Sequence, residues 1–139
     1  MEITEIKITR PQLEIIYEDF KAIDRSLGII PADSRRIELA VKSISGELAA
    51  YASGLVEYEL FYISDLWVRA DSRRKGLGSK ILAALEQRAR EAACKEAYLW
   101  TAGNDNAGFY RTGGYSEFVC FEDAFGLKGH HKYGFRKAL

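Results

Sequence analysis

Leu60-Phe61-Tyr62-Ile63-Ser64-Asp65-Leu66-Trp67-Val68-Arg69 is followed, three residues on, by Arg73-Arg74-Lys75-Gly76-Leu77-Gly78-Ser79. Most of the first run is apolar on both faces, which predicts a strand buried inside a sheet. Beyond the second run, Leu77, Ile81, Leu82, Leu85, Ala89 and Ala92 recur at helical spacing, predicting a helix to about Cys94. Between the two lies a polar bend with three cations and two glycines. A strand that feeds a glycine-rich turn and then a helix leaves several backbone N–H groups unpaired. The helix dipole adds partial positive charge at the same place. The bend therefore reads as an anion cradle, and Arg73, Arg74 and Lys75 raise its potential.

Two familiar phosphate motifs fail here. The dinucleotide fingerprint requires a third glycine where Ile81 stands, and no stretch supplies the mononucleotide P-loop pattern. What remains, Arg73-x-x-Gly76-x-Gly78 on a strand–turn–helix, resembles the pyrophosphate loop of the GNAT superfamily of N-acetyltransferases. A second segment, Asn104-Asp105-Asn106-Ala107-Gly108-Phe109-Tyr110-Arg111-Thr112-Gly113-Gly114-Tyr115, is similar to another motif of that family, with Ala107-x-Phe109-Tyr110 one residue tighter than usual. Gly129-His130 before the last strand fits small bacterial members. The resemblance covers roughly residues 39 to 137 and is weakest over the first helix.

Around these motifs the chain reads as one domain, residues 1 to 139, in a mixed α/β class. Ile3, Ile6 and Ile8 predict a short opening strand. Thr9 and Gln12 are spaced as a capping box, Pro11 suits a first turn, and Leu13, Ile16, Tyr17, Phe20, Ile23 and Leu27 form one apolar stripe that ends at Gly28. Pro31-Ala32-Asp33-Ser34 reads as a turn. Leu39–Val41 and Leu48–Tyr51 flank Ser45-Gly46 as a hairpin, Gly54 as a bulge, and Glu57-Tyr58-Glu59 as the link into the central strand. Ala97–Trp100 predicts a strand, Asp105–Thr112 a helix, and Tyr115–Phe121 and Tyr133–Arg136 two more strands. The expected order is β-α-β-β-β-α-β-α-β-β. The resemblance implies the GNAT fold: a mixed, mostly antiparallel twisted sheet with helices on both faces.

Composition narrows the partners. Twenty basic and twenty acidic side chains cancel, so no global charge points to nucleic acid or a membrane surface. No apolar run nears the ~20 residues of a membrane-spanning helix. Cys94 and Cys120 are too few for a disulfide framework and read as reduced packing residues, which with the absence of a signal-like start predicts a cytoplasmic protein. The adjacent His130 and His131 do not converge on a metal, and no metal site is expected.

The resemblance implies acetyl-coenzyme A as co-substrate and transfer of its acetyl group to a primary amine of a small molecule or peptide, by direct attack in a ternary complex. It implies cofactor contacts from Leu66, Trp67 and Val68, from Arg73, Arg74, Lys75, Gly76, Leu77, Gly78 and Ser79, and from Phe109, Tyr110 and either Asn104 or Asn106. A bulged strand end near Trp67 and Val68 is expected to aim a backbone N–H at the developing oxyanion. Tyr110 is the expected acid for the leaving thiolate, a pair of similar basicity. Deprotonating the amine calls for a carboxylate, and Glu57, Glu59 and Asp65 are the candidates. The bland readings are core packing for Tyr110, solvated carboxylates for the other three, and helix capping for the asparagines. A module that binds acyl-coenzyme A without turnover, or a different acyl group, is the alternative. The aromatics Tyr58, Phe61, Tyr62, Phe121 and Phe125 are candidates for lining an acceptor cleft. Family resemblance places specificity in the first helix, the Ser26–Arg36 loop and the last hairpin, and admits a homodimer.

Overall fold

The computed structural model describes residues 1–30 and 34–139; Pro31, Ala32 and Asp33, where a turn was expected, lie outside the described residues. The chain divides into two compact units, Met1–Asp33 and Ser34–Leu139. The first unit consists of helix α1 (Arg10–Ser26) and its flanks. The backbone N–H of Thr9 donates to Gln12 Oε1 at 2.9 Å, and Gly28 takes φ +78° after the helix, so both termini follow the expected chemistry. The expected opening strand does not form: residues 1–9 join no ladder. Ile3, Ile6 and Ile8 alternate well enough, but alternation supplies no pairing partner, and a strand exists only as part of a sheet.

The second unit is one six-stranded sheet, β1 (Arg35–Lys42), β2 (Leu48–Glu57), β3 (Leu60–Val68), β4 (Glu96–Ala102), β5 (Ser116–Phe121) and β6 (Lys132–Ala138), in spatial order β1-β2-β3-β4-β6-β5. Helices α2 (Leu77–Glu91) and α3 (Asn104–Thr112) are inserted after β3 and β4. Every pairing is antiparallel except β3 with β4. That parallel pair requires a crossover, which α2 supplies. Within this unit α2 and α3 both pack on one face. Leu82 and Leu85 of α2 share a core with Ala107 and Tyr110 of α3 and with Phe61, Leu99, Tyr133 and Phe135 of the sheet. Each large side chain buried there contributes about 1.5–3 kcal/mol. Helix α2 stops at Glu91, three residues short of expectation, because Ala93 turns to φ +64° and Cys94 N–H closes on Ala89 O.

Two irregularities position the site. Strand β3 carries a bulge at Ser64: Asp65 pairs with Ser53, while the next pair back is Ile63 with Gly54. A Cβ on Gly54 would overlap the Phe61 ring, which is why this strand interior needs a glycine. The bulge shifts the alternation, so Phe61 and Ile63 face the core before it and Leu66 and Val68 after it. Second, β3 and β4 pair only over Leu60, Phe61 and Tyr62. Beyond Tyr62 the two strands separate. Strand β3 stays bonded to β2 as far as Val68 and β4 to β6 as far as Ala102, so the sheet opens as a wedge.

Candidate active site

The turn after β3 has the glycine-containing strand–bend–helix build that the sequence predicts. Gly76 sits at φ +76° as N-cap of α2, and Arg74 also has a positive φ, +60°. The Arg73 Nε–H donates to Val68 O at 2.8 Å and Lys75 Nζ to Asp71 O at 3.0 Å, which tie the turn to the strand end and to the short 3-10 turn Ala70–Ser72. Lys80 is the first residue of α2 whose N–H reaches an intrahelical carbonyl, Gly76 O. Among the described residues, the main-chain N–H groups from Arg74 to Ser79 find no acceptor. Six consecutive donors thus stand at the positive end of a 15-residue helix.

These donors border a cleft of about 650 Å³ lined by Leu66, Trp67, Val68, Arg73, Arg74, Gly76, Leu77, Gly78, Ser79, Asp105, Asn106 and Phe109. A Cβ on Gly78 would stand 3.4 Å from the Phe109 ring and 3.6 Å from Val68 Cγ2, so any side chain there grows into the groove between α2 and α3. Of the two asparagines left open by the sequence, Asn106 borders the cleft, its Nδ2 donating to Ala102 O at 2.8 Å. Asn104 accepts from the Tyr133 hydroxyl at 3.0 Å and does not line the cleft. Lys75 is likewise absent from the lining, and Asp105, which the sequence reading passed over, belongs to it.

The wedge between β3 and β4 is a second, smaller cavity of about 240 Å³, lined by Ile63, Ser64, Asp65, Leu66, Leu99, Trp100, Thr101 and Tyr110. Leu66 borders both spaces and so marks where the cleft meets the wedge. Tyr110 enters from α3 on the core side. It is 8% exposed, ringed by Phe109, Tyr115 and Phe135, and burial pushes its hydroxyl up to about 12. Among the described residues that hydroxyl has no protein hydrogen-bond partner. Asp65 belongs to the opposite face of the sheet. The fully buried Ser53 hydroxyl donates to Asp65 Oδ2 at 2.7 Å, and Arg36 Nη2 approaches the same oxygen at 3.4 Å and Ser53 Oγ at 3.0 Å. Ser64 Oγ lies 2.9 Å from Ser53 Oγ. Because Ser53 has one proton and gives it to Asp65, Ser64 is the donor in that contact.

Not every candidate arrives here. Glu57 and Glu59 flank the β2–β3 turn, beside the end where β3 and β4 are still paired; Glu59 is bonded to Lys95 at 2.9 Å. Glu57 pairs with Leu60, three residues before Ile63 at the wedge floor, so strand rise sets it about 10 Å away, and it lines neither space. The bulge lies at Ser64, not at Trp67 and Val68. Phe61 is fully buried core and cannot line an acceptor cleft, and Tyr58 sits in the remote turn. Cys120 is exposed where a packing residue was expected, while Cys94 is buried. His131 Nδ1 accepts from Asp123 N–H and His130 lies against Phe125; among the described residues no group of three potential metal ligands converges.

Comparison with known proteins gives a consistent result. Residues 9–115 match the family described as "Acetyltransferase (GNAT) family". Blasticidin-S acetyltransferase of Streptomyces morookaense is 31% identical over 113 residues, 78% of this chain and 83% of that protein. A crystal structure of an acetyltransferase from Bacillus cereus superposes with TM-score 0.81 at 28% identity, covering 99% of this chain and 98% of that one. An aminoglycoside 6'-N-acetyltransferase in complex with coenzyme A shares the fold at TM-score 0.66 and 16% identity, over 99% and 97% of the two chains.

Proposed function

The chain belongs to the acetyltransferase (GNAT) family, and from that premise we propose that it transfers the acetyl group of acetyl-coenzyme A to a primary amine on a small molecule, by direct attack in a ternary complex. The observation that carries this reading is the run of six unpaired amides, Arg74 to Ser79, on a cleft that meets the wedge at Leu66. The amides, with Arg73 and Arg74, suit the diphosphate; the open edge of β3 from Ser64 to Val68 suits the pantetheine arm, whose amides can pair as a strand would.

Asp65 and Tyr110 divide the proton work. Asp65, directly or through a water, takes a proton from the acceptor ammonium so that a neutral amine attacks the thioester carbonyl. The C–N bond forms, the C–S bond breaks, and Tyr110 protonates the departing sulfur. Unpaired amides of β3 beside the bulge are the donors available to the carbonyl oxygen as it gains charge. The hydroxyl of Tyr110, held neutral far above working pH, is in the protonation state a donor requires. A small-molecule acceptor is supported by the name of the Streptomyces relative, an acetyltransferase of blasticidin-S.

Thiol release from acetyl-coenzyme A, measured against a panel of primary amines, tests the reading. Tyr110→Phe is expected to lower kcat by about a hundredfold while acetyl-coenzyme A affinity stays within twofold. An unchanged rate would remove Tyr110 from the chemistry.

A further inference from the structure

We propose that the acceptor carries a flat aromatic or heteroaromatic ring, which stacks on a platform of Trp100 and Phe118 beside the wedge; this deepens, and rests on, the reading of the wedge as the place of acyl transfer. Trp100 of β4 lines the wedge and also an adjoining cleft of about 320 Å³ bounded by Leu60, Glu96, Tyr98, Phe118 and Arg136. That volume lies at the low end of small-molecule sites, about 300–1,000 Å³. Trp100 is 40% exposed, Phe118 44% and Phe121 52%, three rings clustered in the open beside one another. Phe118 meets Trp100 edge-on with centroids 5.6 Å apart, and Phe121 is tilted 6.5 Å from it.

Two local departures from regular sheet build this arrangement. Strand β6 lies between β4 and β5, so a side chain on β5 reaches Trp100 only by crossing β6. At the crossing, opposite Trp100, β6 has Gly134. A Cβ there would stand 2.8 Å from Phe118 Cζ and 2.6 Å from Val119 Cγ1. On β5 the register shifts between Glu117 and Val119, which makes Phe118 the extra residue of a bulge and re-aims its ring across the sheet. A glycine inside a strand and an unpaired residue both weaken a ladder. Their joint product is an exposed face of two rings whose shared member, Trp100, opens onto the wedge. The Glu96–Arg136 pair at 3.6 Å supplies a polar rim, and Lys132 Nζ stands 5.5 Å over the Trp100 ring, a long flexible side chain that a stacking ring displaces from that face. A ring laid on this platform directs its amine toward the wedge, where Asp65 is the carboxylate among the described lining residues.

The proposal is tested by calorimetric titration of the coenzyme A complex with phenethylamine and tryptamine against hexylamine and putrescine. The aryl amines are expected to bind about tenfold more tightly than hexylamine, a preference that Phe118→Ala and Trp100→Leu each abolish, with coenzyme A affinity unchanged within twofold. Phe118 is exposed, so its truncation is compatible with folding, and thermal melts of both variants check this. Equal binding of hexylamine and phenethylamine, or a ring preference that survives Phe118→Ala, overturns the platform. Ring-selective binding without acetyl transfer upholds the platform and instead removes the catalytic reading; acetyl transfer without ring preference does the reverse.

Discussion

Ser53 and Asp65 face each other across the β2–β3 ladder at the bulge, the buried Ser53 hydroxyl donating to Asp65 Oδ2 at 2.7 Å. The contact exists because Ser64 is the extra residue: without it, Asp65 would sit in a different register, and its carboxylate would lose both this donor and Arg36. One carboxylate oxygen is thereby fixed, and the other is left for the wedge.

From this follows a test of positioning. Ser53→Ala is expected to lower kcat about tenfold with acetyl-coenzyme A KM unchanged, and to cost about 1–2 kcal/mol of stability. In an Asp65→Asn background the same change should lower turnover no further, because the group it positions is already gone. Additive losses in kcat would show that Ser53 matters only as packing.

The cradle predicts different behaviour at its two glycines. Gly76 has no neighbour within 4 Å of a built Cβ, but its φ of +76° disfavours any other residue, so Gly76→Ala should destabilise by about 1–2 kcal/mol. Gly78 carries no such backbone demand and closes on Phe109 and Val68. Gly78→Glu should therefore leave the melting temperature nearly unchanged. It should weaken coenzyme A binding at least a hundredfold by filling the groove and placing an anion beside the phosphates. Calorimetry that finds intact affinity in Gly78→Glu would place the diphosphate elsewhere.

Stability near the site rests on one buried charge. Glu86 of α2, 4% exposed, accepts from Lys137 Nζ at 2.9 Å and from the Tyr115 hydroxyl at 3.1 Å, and Lys137 also donates to Gly113 O at the end of α3. Glu86→Ala strands Lys137 in a half-buried position and is expected to cost about 3 kcal/mol, read from urea unfolding. The paired replacement Glu86→Leu with Lys137→Met removes both charges and should recover most of that loss. A double variant no more stable than Glu86→Ala would refute this account.

Alkaline pH should destabilise the fold through the buried tyrosines. Burial holds Tyr110 up at about 12 and raises Tyr115 further beside the Glu86 carboxylate. In the unfolded chain both ionise near 10. Above about pH 10 the unfolded state therefore holds fewer protons than the native one, and stability falls as pH rises. It is fully present below pH 10. Tyr110→Phe should flatten this decline in melting temperature between pH 9 and 11; an identical slope in the variant would contradict the assignment.

The turn from β3 into α2 was legible because its parts are adjacent: an apolar run, three cations, Gly76 and Gly78 within twenty residues dictate strand, bend and helix through local chemistry alone. The same locality made α3, with its glycine stop, and the bulge near Gly54 readable. Which carboxylate borders the wedge was not. Glu57, Glu59 and Asp65 are equivalent in sequence, and only the separation of β3 from β4 after Tyr62 sets one of them at the wedge. Ser53, Arg36 and Phe118 were invisible for a related reason. Their roles depend on partners twelve, twenty-nine and eighteen residues away, brought together by register shifts of one residue. Alternation and propensity determined which segments became strands and helices, because those preferences act over a few neighbouring residues. Tertiary structure decided which side chains share a cavity, because that depends on ladder register, and one unpaired residue in a strand sends every following side chain to the other face.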